Sequence, residues 1–119
     1  MMKKIWKKLI IYLKIKFSCD IKKNLPKSVN LPHPVGIVIS NTAEIGENVT
    51  IYQNVTIGWT LGEKERKAGS IGDNVIIYSG AKIIGNITIG DNAIVGANAV
   101  VIHDVPENMT VVGVPASKK

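Results

Sequence analysis

The chain has 119 residues, enough for one domain of the usual 100–150 residues and too few to add a second catalytic one. Hydrophobic residues make up 45% but aromatic residues only 5%, so a core has to be built from Ile and Val, which favour strands. Nine of the 15 basic residues precede residue 28, where Asp20 is the only acid, so residues 1–27 carry +8 and the remainder −2. Phosphate binding needs positive charge spread along a docking face, which excludes a nucleic-acid-binding body.

The basic start comes first in chain order. Residues 2–17 place Ile5, Leu9, Leu13 and Phe17 at helical spacing, with Trp6 and Ile10 beside them and lysines elsewhere. Residues 1–17 are therefore read as a basic amphipathic segment, a short helix or an extended arm. Such a face can lie on an anionic membrane, a peripheral contact, or cover the open end of a repetitive body, and capping is the more conservative reading. Its longest apolar run, Leu9 to Leu13, is too short to span a bilayer and precedes no signal-type cleavage site. Cys19 is the only cysteine, so no intrachain disulfide or cysteine-based zinc site can form, and the reducing cytoplasm is the expected setting.

Beyond it, isoleucine recurs every six residues. Ile39, Ile45, Ile51 and Ile57 form one series, and Ile71, Ile77, Ile83, Ile89, Val95 and Val101 another. Four residues after these comes a second apolar row, mostly small: Ala43, Val49, Val55, Val75, Ala81, Ile87, Ala93, Ala99 and Val105, with Ile87 the bulky exception. Turn-formers sit in phase between them, as in Gly46-Glu47-Asn48, Gly72-Asp73-Asn74, Gly90-Asp91-Asn92 and Gly96-Ala97-Asn98. A period of six fits neither an α-helix nor a β-sandwich of alternating strands. It fits a short strand and a turn repeated so that every aliphatic side chain points to one axis, with Gly and Asn taking left-handed backbone angles at the corners: an all-β parallel β-helix. The triplets starting at Asn48, Asn54 and Asn86 read as turn asparagines before strands rather than glycosylation sites.

The two series are out of step between Ile57 and Ile71. The charged segment Thr60 to Gly69 is expected to leave the coil there as an exposed loop, either a tolerated insertion or a flap over a binding site.

The hexapeptides, the segment Leu31-Pro32-His33-Pro34-Val35-Gly36-Ile37-Val38-Ile39, the run Tyr52-Gln53-Asn54-Val55-Thr56-Ile57-Gly58 and the ending Val112-Gly113-Val114-Pro115-Ala116 together resemble the hexapeptide-repeat acyltransferases. Within them the likeness is to the serine O-acetyltransferases and their short relatives in polysaccharide gene clusters, over roughly residues 18–117. The resemblance implies a left-handed β-helix over 18–117, interrupted at 60–69, that assembles as a homotrimer with acetyl-CoA between neighbouring subunits. The activity it implies is acetyl transfer to a small hydroxyl acceptor, L-serine or a sugar hydroxyl, with no metal.

His33 matches the family's catalytic histidine, and taking a proton from an alcohol as it attacks a thioester suits an imidazole. Asp20-Ile21 resembles the family's Asp-Ile pair, whose aspartate orients the histidine, although two residues are missing between Asp20 and His33 here; Asp20 could equally cap a turn. Gly58 and Trp59 occupy the turn whose backbone N–H groups face the thioester oxygen, with Trp59 standing where the family usually has a second glycine. Ser79, Gly80, Gly96 and Ala97 match turn positions along the pantetheine arm, with Tyr78-Ser79-Gly80 replacing a commoner Gly-Ala-Gly. Pro115, Ala116 and Lys118 match the tail over the adenine end.

The serine enzymes carry a second histidine in an Arg-His-Pro segment, where this chain has Lys67-Ala68-Gly69, and a large helical N-terminal domain that it lacks. Both departures favour a sugar or other hydroxyl compound. His103-Asp104 reads as structural. A β-helical carbonic anhydrase would need three histidines around zinc, and only His33 and His103 exist. A non-catalytic trimeric scaffold is the remaining alternative, favoured if Trp59 and Tyr78 block the cleft.

Overall fold

The computed structural model describes residues 2–62 and 64–119, apart from the side chains of Met2, Lys14 and Phe17. Glu63 of the expected loop and the side chain of Phe17 on the amphipathic face thus lie outside the described residues. Helix α1, Met2–Ser18, is followed by short strands that wind around a three-sided prism.

The first face stacks β1 (Asp20–Ile21), β2 (Val38–Ile39), β5 (Thr56–Gly58), β8 (Lys82–Ile84) and β11 (Val100–Val101), all parallel. The second stacks β3 (Glu44–Ile45), β6 (Ser70–Ile71) and β9 (Thr88–Ile89). The third stacks β4 (Thr50–Ile51), β7 (Ile76–Ile77), β10 (Ile94–Val95) and β12 (Thr110–Val112), and closes with β13 (Ser117–Lys118), which runs antiparallel to β12. Successive members of each isoleucine series fall on successive faces, so a coil takes three hexapeptides. Ile39 pairs with Ile57, and Ile57 with Ile83.

Packing follows from that register. Both apolar rows point inward: Ile51, Ile57, Ile77, Ile83 and Ile89 are 0% exposed, as are Val49, Val55, Val75, Ala81, Ala93 and Ala99. Each fully buried Ile or Val contributes roughly 1.5–3 kcal/mol, and no polar side chain among the described residues is buried with them. Small residues are needed next to the corners, where the coil is narrowest. Ile87, the bulky entry, is only half-buried, packing against the core, and Gly69 on the preceding rung has no room for a Cβ, which would come 2.7 Å from the Ile87 carbonyl oxygen.

In the turn triplets glycine and asparagine divide their labour differently from the expectation, although Gly36 and Gly80 do take left-handed backbone at another corner. Left-handed backbone is taken by the asparagines, Asn48, Asn54, Asn74, Asn92, Asn98 and Asn108, at φ between 56° and 62°. Gly46, Gly72, Gly90 and Gly96, which open the turn triplets, have no positive φ; they are glycine because the next rung presses on them. A Cβ on Gly72, for example, would lie 2.8 Å from the Asp91 backbone nitrogen. Rungs are also tied by carboxylates: Asp73 Oδ1 accepts the Glu47 N–H (2.8 Å) and Asp91 Oδ1 the Asp73 N–H (2.7 Å).

The inserted segment differs from its expected extent. Leu61, Gly62 and Lys64 to Arg66 are exposed, but Ala68 is 0% exposed and Gly69 is buried. The Ala68 N–H donates to Thr42 Oγ1 (2.9 Å), and the Glu44 N–H to the Gly69 carbonyl (3.1 Å). The chain has rejoined the coil before residue 70 because these two small residues fill the row between Ala43 and Ile87.

Candidate active site along one edge of the prism

The edge between the third and first faces is turned by Gly36, Asn54, Gly80 and Asn98, all with positive φ. Glycine and asparagine alternate down it for a steric reason: a Cβ on Gly36 would run into Asn54 Oδ1, and one on Gly80 into Asn98 Oδ1. Backbone bonds fix the stack. Asn54 N–H donates to the Val35 carbonyl (2.9 Å), Gly80 N–H to Gln53 (3.0 Å), Asn98 N–H to Ser79 (2.9 Å) and Val100 N–H to Gly113 (3.0 Å). Lys82 clamps the same column, its ammonium donating to the carbonyls of Asn54 (2.7 Å) and Gly80 (3.0 Å).

His33 stands at the head of this column. Asn30 pairs with Thr50 and Val38 with Thr56, so the first corner spans eight residues where the corner below it spans six. The two extra residues form a bulge. Pro34 is buried within it, its carbonyl accepting from Ser18 Oγ (3.2 Å), while His33 is exposed and turned away from the core. His33 to Val35 lie on the rung above Gln53, followed by Ser79 and Ala97. Ser79, Gly80, Gly96 and Ala97 are therefore brought to the edge that His33 heads.

The tail closes the other end of the edge. The Ala116 N–H donates to the Val100 carbonyl (2.8 Å), and Ala116 packs against the core after the cis Val114–Pro115 bond. Ala116 and Lys118 line a cavity of about 250 Å³ under the last coil, with Val101, His103 and Met109 among its walls. At about 4.8 Å per rung, the four steps from His33 to the tail make a strip of roughly 19 Å.

Three expected residues sit apart from that strip. Gly58 and Trp59 end β5 on the far side of the first face, where the loop departs. Half-buried Trp59 is covered by the Arg66 guanidinium, 5.2 Å from the ring centroid. Asp20 lies on the top rung of the first face, paired with Val38, in the junction with α1 among Tyr12, Lys16, Cys19 and Lys23. It is two residues from Ser18, whose carbonyl accepts the Gly36 N–H (2.8 Å), so it starts from the edge that His33 heads, but no hydrogen bond joins its carboxylate to the imidazole. Asp104 has the structural role read for it, Oδ1 accepting the Thr88 N–H (2.8 Å).

Two residues on the edge were not singled out from sequence. Tyr52 stacks on Tyr78, and Gln53, beneath the bulge, has a buried side-chain oxygen without a hydrogen-bond partner. The available signal was register: Tyr52 and Tyr78 occupy the same place after β4 and β7.

Comparison with known proteins agrees with this architecture. The family model for the bacterial transferase hexapeptide (six repeats) matches residues 69–103. A serine acetyltransferase of Staphylococcus xylosus is 53% identical over 85 residues, which cover 71% of this chain and 39% of that protein. Soybean serine acetyltransferase complexed with serine superimposes with a TM-score of 0.75 at 42% identity, covering 86% of this chain and 40% of that one. Serine acetyltransferase from Brucella abortus strain S19, in complex with coenzyme A, gives 0.75 at 36% identity, covering 85% and 39%. The chain spans about two-fifths of the length of the curated relatives it matches.

Repeat and fold together define the class: a left-handed parallel β-helix that carries the bacterial transferase hexapeptide over residues 69–103. Within the class its β-helix is similar to that of the serine acetyltransferases.

Proposed function

We propose that the chain is an acetyl-CoA-dependent O-acetyltransferase, with His33 as general base and the strip below it as the donor site. The observation that carries this reading is the convergence of His33, Ser79, Gly80, Gly96, Ala97 and the Pro115–Ala116 tail on one edge, in a fold similar to a coenzyme A complex. In the reaction the imidazole takes the acceptor's hydroxyl proton as the oxygen bonds to the thioester carbonyl carbon. Collapse of the tetrahedral intermediate breaks the C–S bond, and the imidazolium returns the proton to the departing thiolate. Transfer is direct, with no covalent enzyme intermediate.

The donor for the developing oxyanion is the backbone at Gly58 and Trp59. These lie across the first face from His33, so the edge of one subunit and the β5 end of the next complete a site between them in a homotrimer. Lys118 acts as a point charge for the donor's phosphates. Use of acetyl-CoA places the reaction in the cytoplasm.

The acceptor is a small hydroxyl compound. Likeness to the serine acetyltransferases supports L-serine. Ala68 supports a sugar hydroxyl, because it stands where those enzymes have a histidine and is buried in the prism, out of reach of an acceptor.

The test is thermal shift with CoA, followed by thiol release from acetyl-CoA across serine, amino sugars and neutral sugars. An enzyme gains stability with ligand by mass action and releases thiol with one acceptor. A non-catalytic scaffold does neither.

A further inference from the structure

Helix α1 leaves the prism with an apolar face that none of the described residues covers. Ile5, Trp6, Leu9, Ile10 and Leu13 are 40–60% exposed. At 3.6 residues per turn they fall within an arc of about 140°. Contact with the prism is made elsewhere: Ile15, outside that arc, is half-buried, and Tyr12, Ile15 and Lys16, in the last two turns, line the junction with Cys19 to Lys23. The apolar arc therefore does not cap the coil.

The helix also has little local support. It contains six lysines and no acidic residue, so no opposite-charge pair joins its turns, and Lys3 and Lys4 in the first turn oppose the helix dipole. A 17-residue helix of this kind draws its stability from whatever covers its apolar side.

We propose that α1 is a peripheral anchor that lies in the plane of an anionic lipid surface. Charge selects this occupant over a second copy of the chain. Lys3 and Lys7 flank the arc on one side and Lys4 and Lys8 on the other, so pairing two such helices would bring together lysines with no carboxylate to meet them. Anionic headgroups neutralise the same lysines while their stems lie along the apolar boundary. Trp6 and Tyr12, 60% and 57% exposed, are side chains that favour that boundary. Exposed Lys23 and Lys27 extend the basic surface onto the first coil. No described helix is long and apolar enough to cross a membrane, so the helix lies on the surface rather than through it.

The experiment is co-sedimentation of the full chain with vesicles of phosphatidylcholine alone or mixed with phosphatidylglycerol. Binding is expected only with phosphatidylglycerol, and at about 1 M salt, where the Debye length is about 3 Å, it falls at least tenfold. A Leu9→Glu, Leu13→Glu variant loses binding at least tenfold with the thermal midpoint of the prism unchanged, and Lys→Gln at 3, 4, 7 and 8 does the same. Equal binding to neutral vesicles, or retention by the glutamate variant, overturns the proposal. So does an oligomer that the glutamate variant dissociates in the absence of vesicle binding.

Discussion

The rings of Tyr52 and Tyr78 stack with centroids 5.3 Å apart and planes inclined by 14°, one rung above the other beside the edge that His33 heads. An offset stack of this kind contributes about 0.5–1.5 kcal/mol beyond area burial. Tyr78→Ala, which also gives up the buried part of the ring, is expected to lower the denaturation free energy by at least that amount, measured by urea titration.

His33 is exposed, so its removal leaves the prism intact. His33→Ala is expected to reduce kcat by roughly 10²–10⁴, with the CoA-induced thermal shift retained. Full activity in that variant would remove the base assignment.

The stability of the coil rests on its inward rows. Ile77, 0% exposed at mid-prism, is expected to cost about 2–5 kcal/mol on replacement by alanine. Thermal or urea unfolding measures it, and a loss below about 1 kcal/mol would contradict the packing described.

Glycine and asparagine in one turn triplet fail in different ways. Gly72→Ala forces a methyl group toward backbone atoms, 2.8 Å from Asp91 N and 3.0 Å from Gly90 C, that cannot swing aside, and is expected to cost about 1–3 kcal/mol. Asn74 holds φ 59°, so Asn74→Ala should cost about 1–2 kcal/mol while Asn74→Gly stays near neutral. Comparing the three melting curves separates crowding from backbone strain.

Asp91 Oδ1 holds the Asp73 N–H at 2.7 Å on an exposed corner. Asp91→Ala is expected to cost about 0.5–1.5 kcal/mol. Asp91→Asn, which keeps an acceptor oxygen, should recover most of it.

Much of the prism was legible because a six-residue period leaves the same mark at every rung, and Ile39 to Val101 carry it almost without exception. The edge was partly legible. Ser79 and Ala97 share a phase in the repeat, so their stacking followed from counting. The bulge at His33 did not, because the two extra residues between Asn30 and Val38 appear only once both ends are registered on the next coil. The role of the triplet glycines was hidden for a related reason: close approach between rungs depends on a neighbour about 16, 18 or 26 residues away, whereas a turn signal is local. Ala68 looked like loop because nothing in Lys67-Ala68-Gly69 marks it as core.

The alternation of Gly36, Asn54, Gly80 and Asn98 makes the edge a ruler graduated in single coils. Removing residues 82–99 would splice Ala81 to Val100, the register partner of Lys82, and shorten the scale by one graduation while leaving its zero mark at His33 untouched. The separation between the two ends of this edge is therefore quantised, and evolution can lengthen or shorten it only in whole increments.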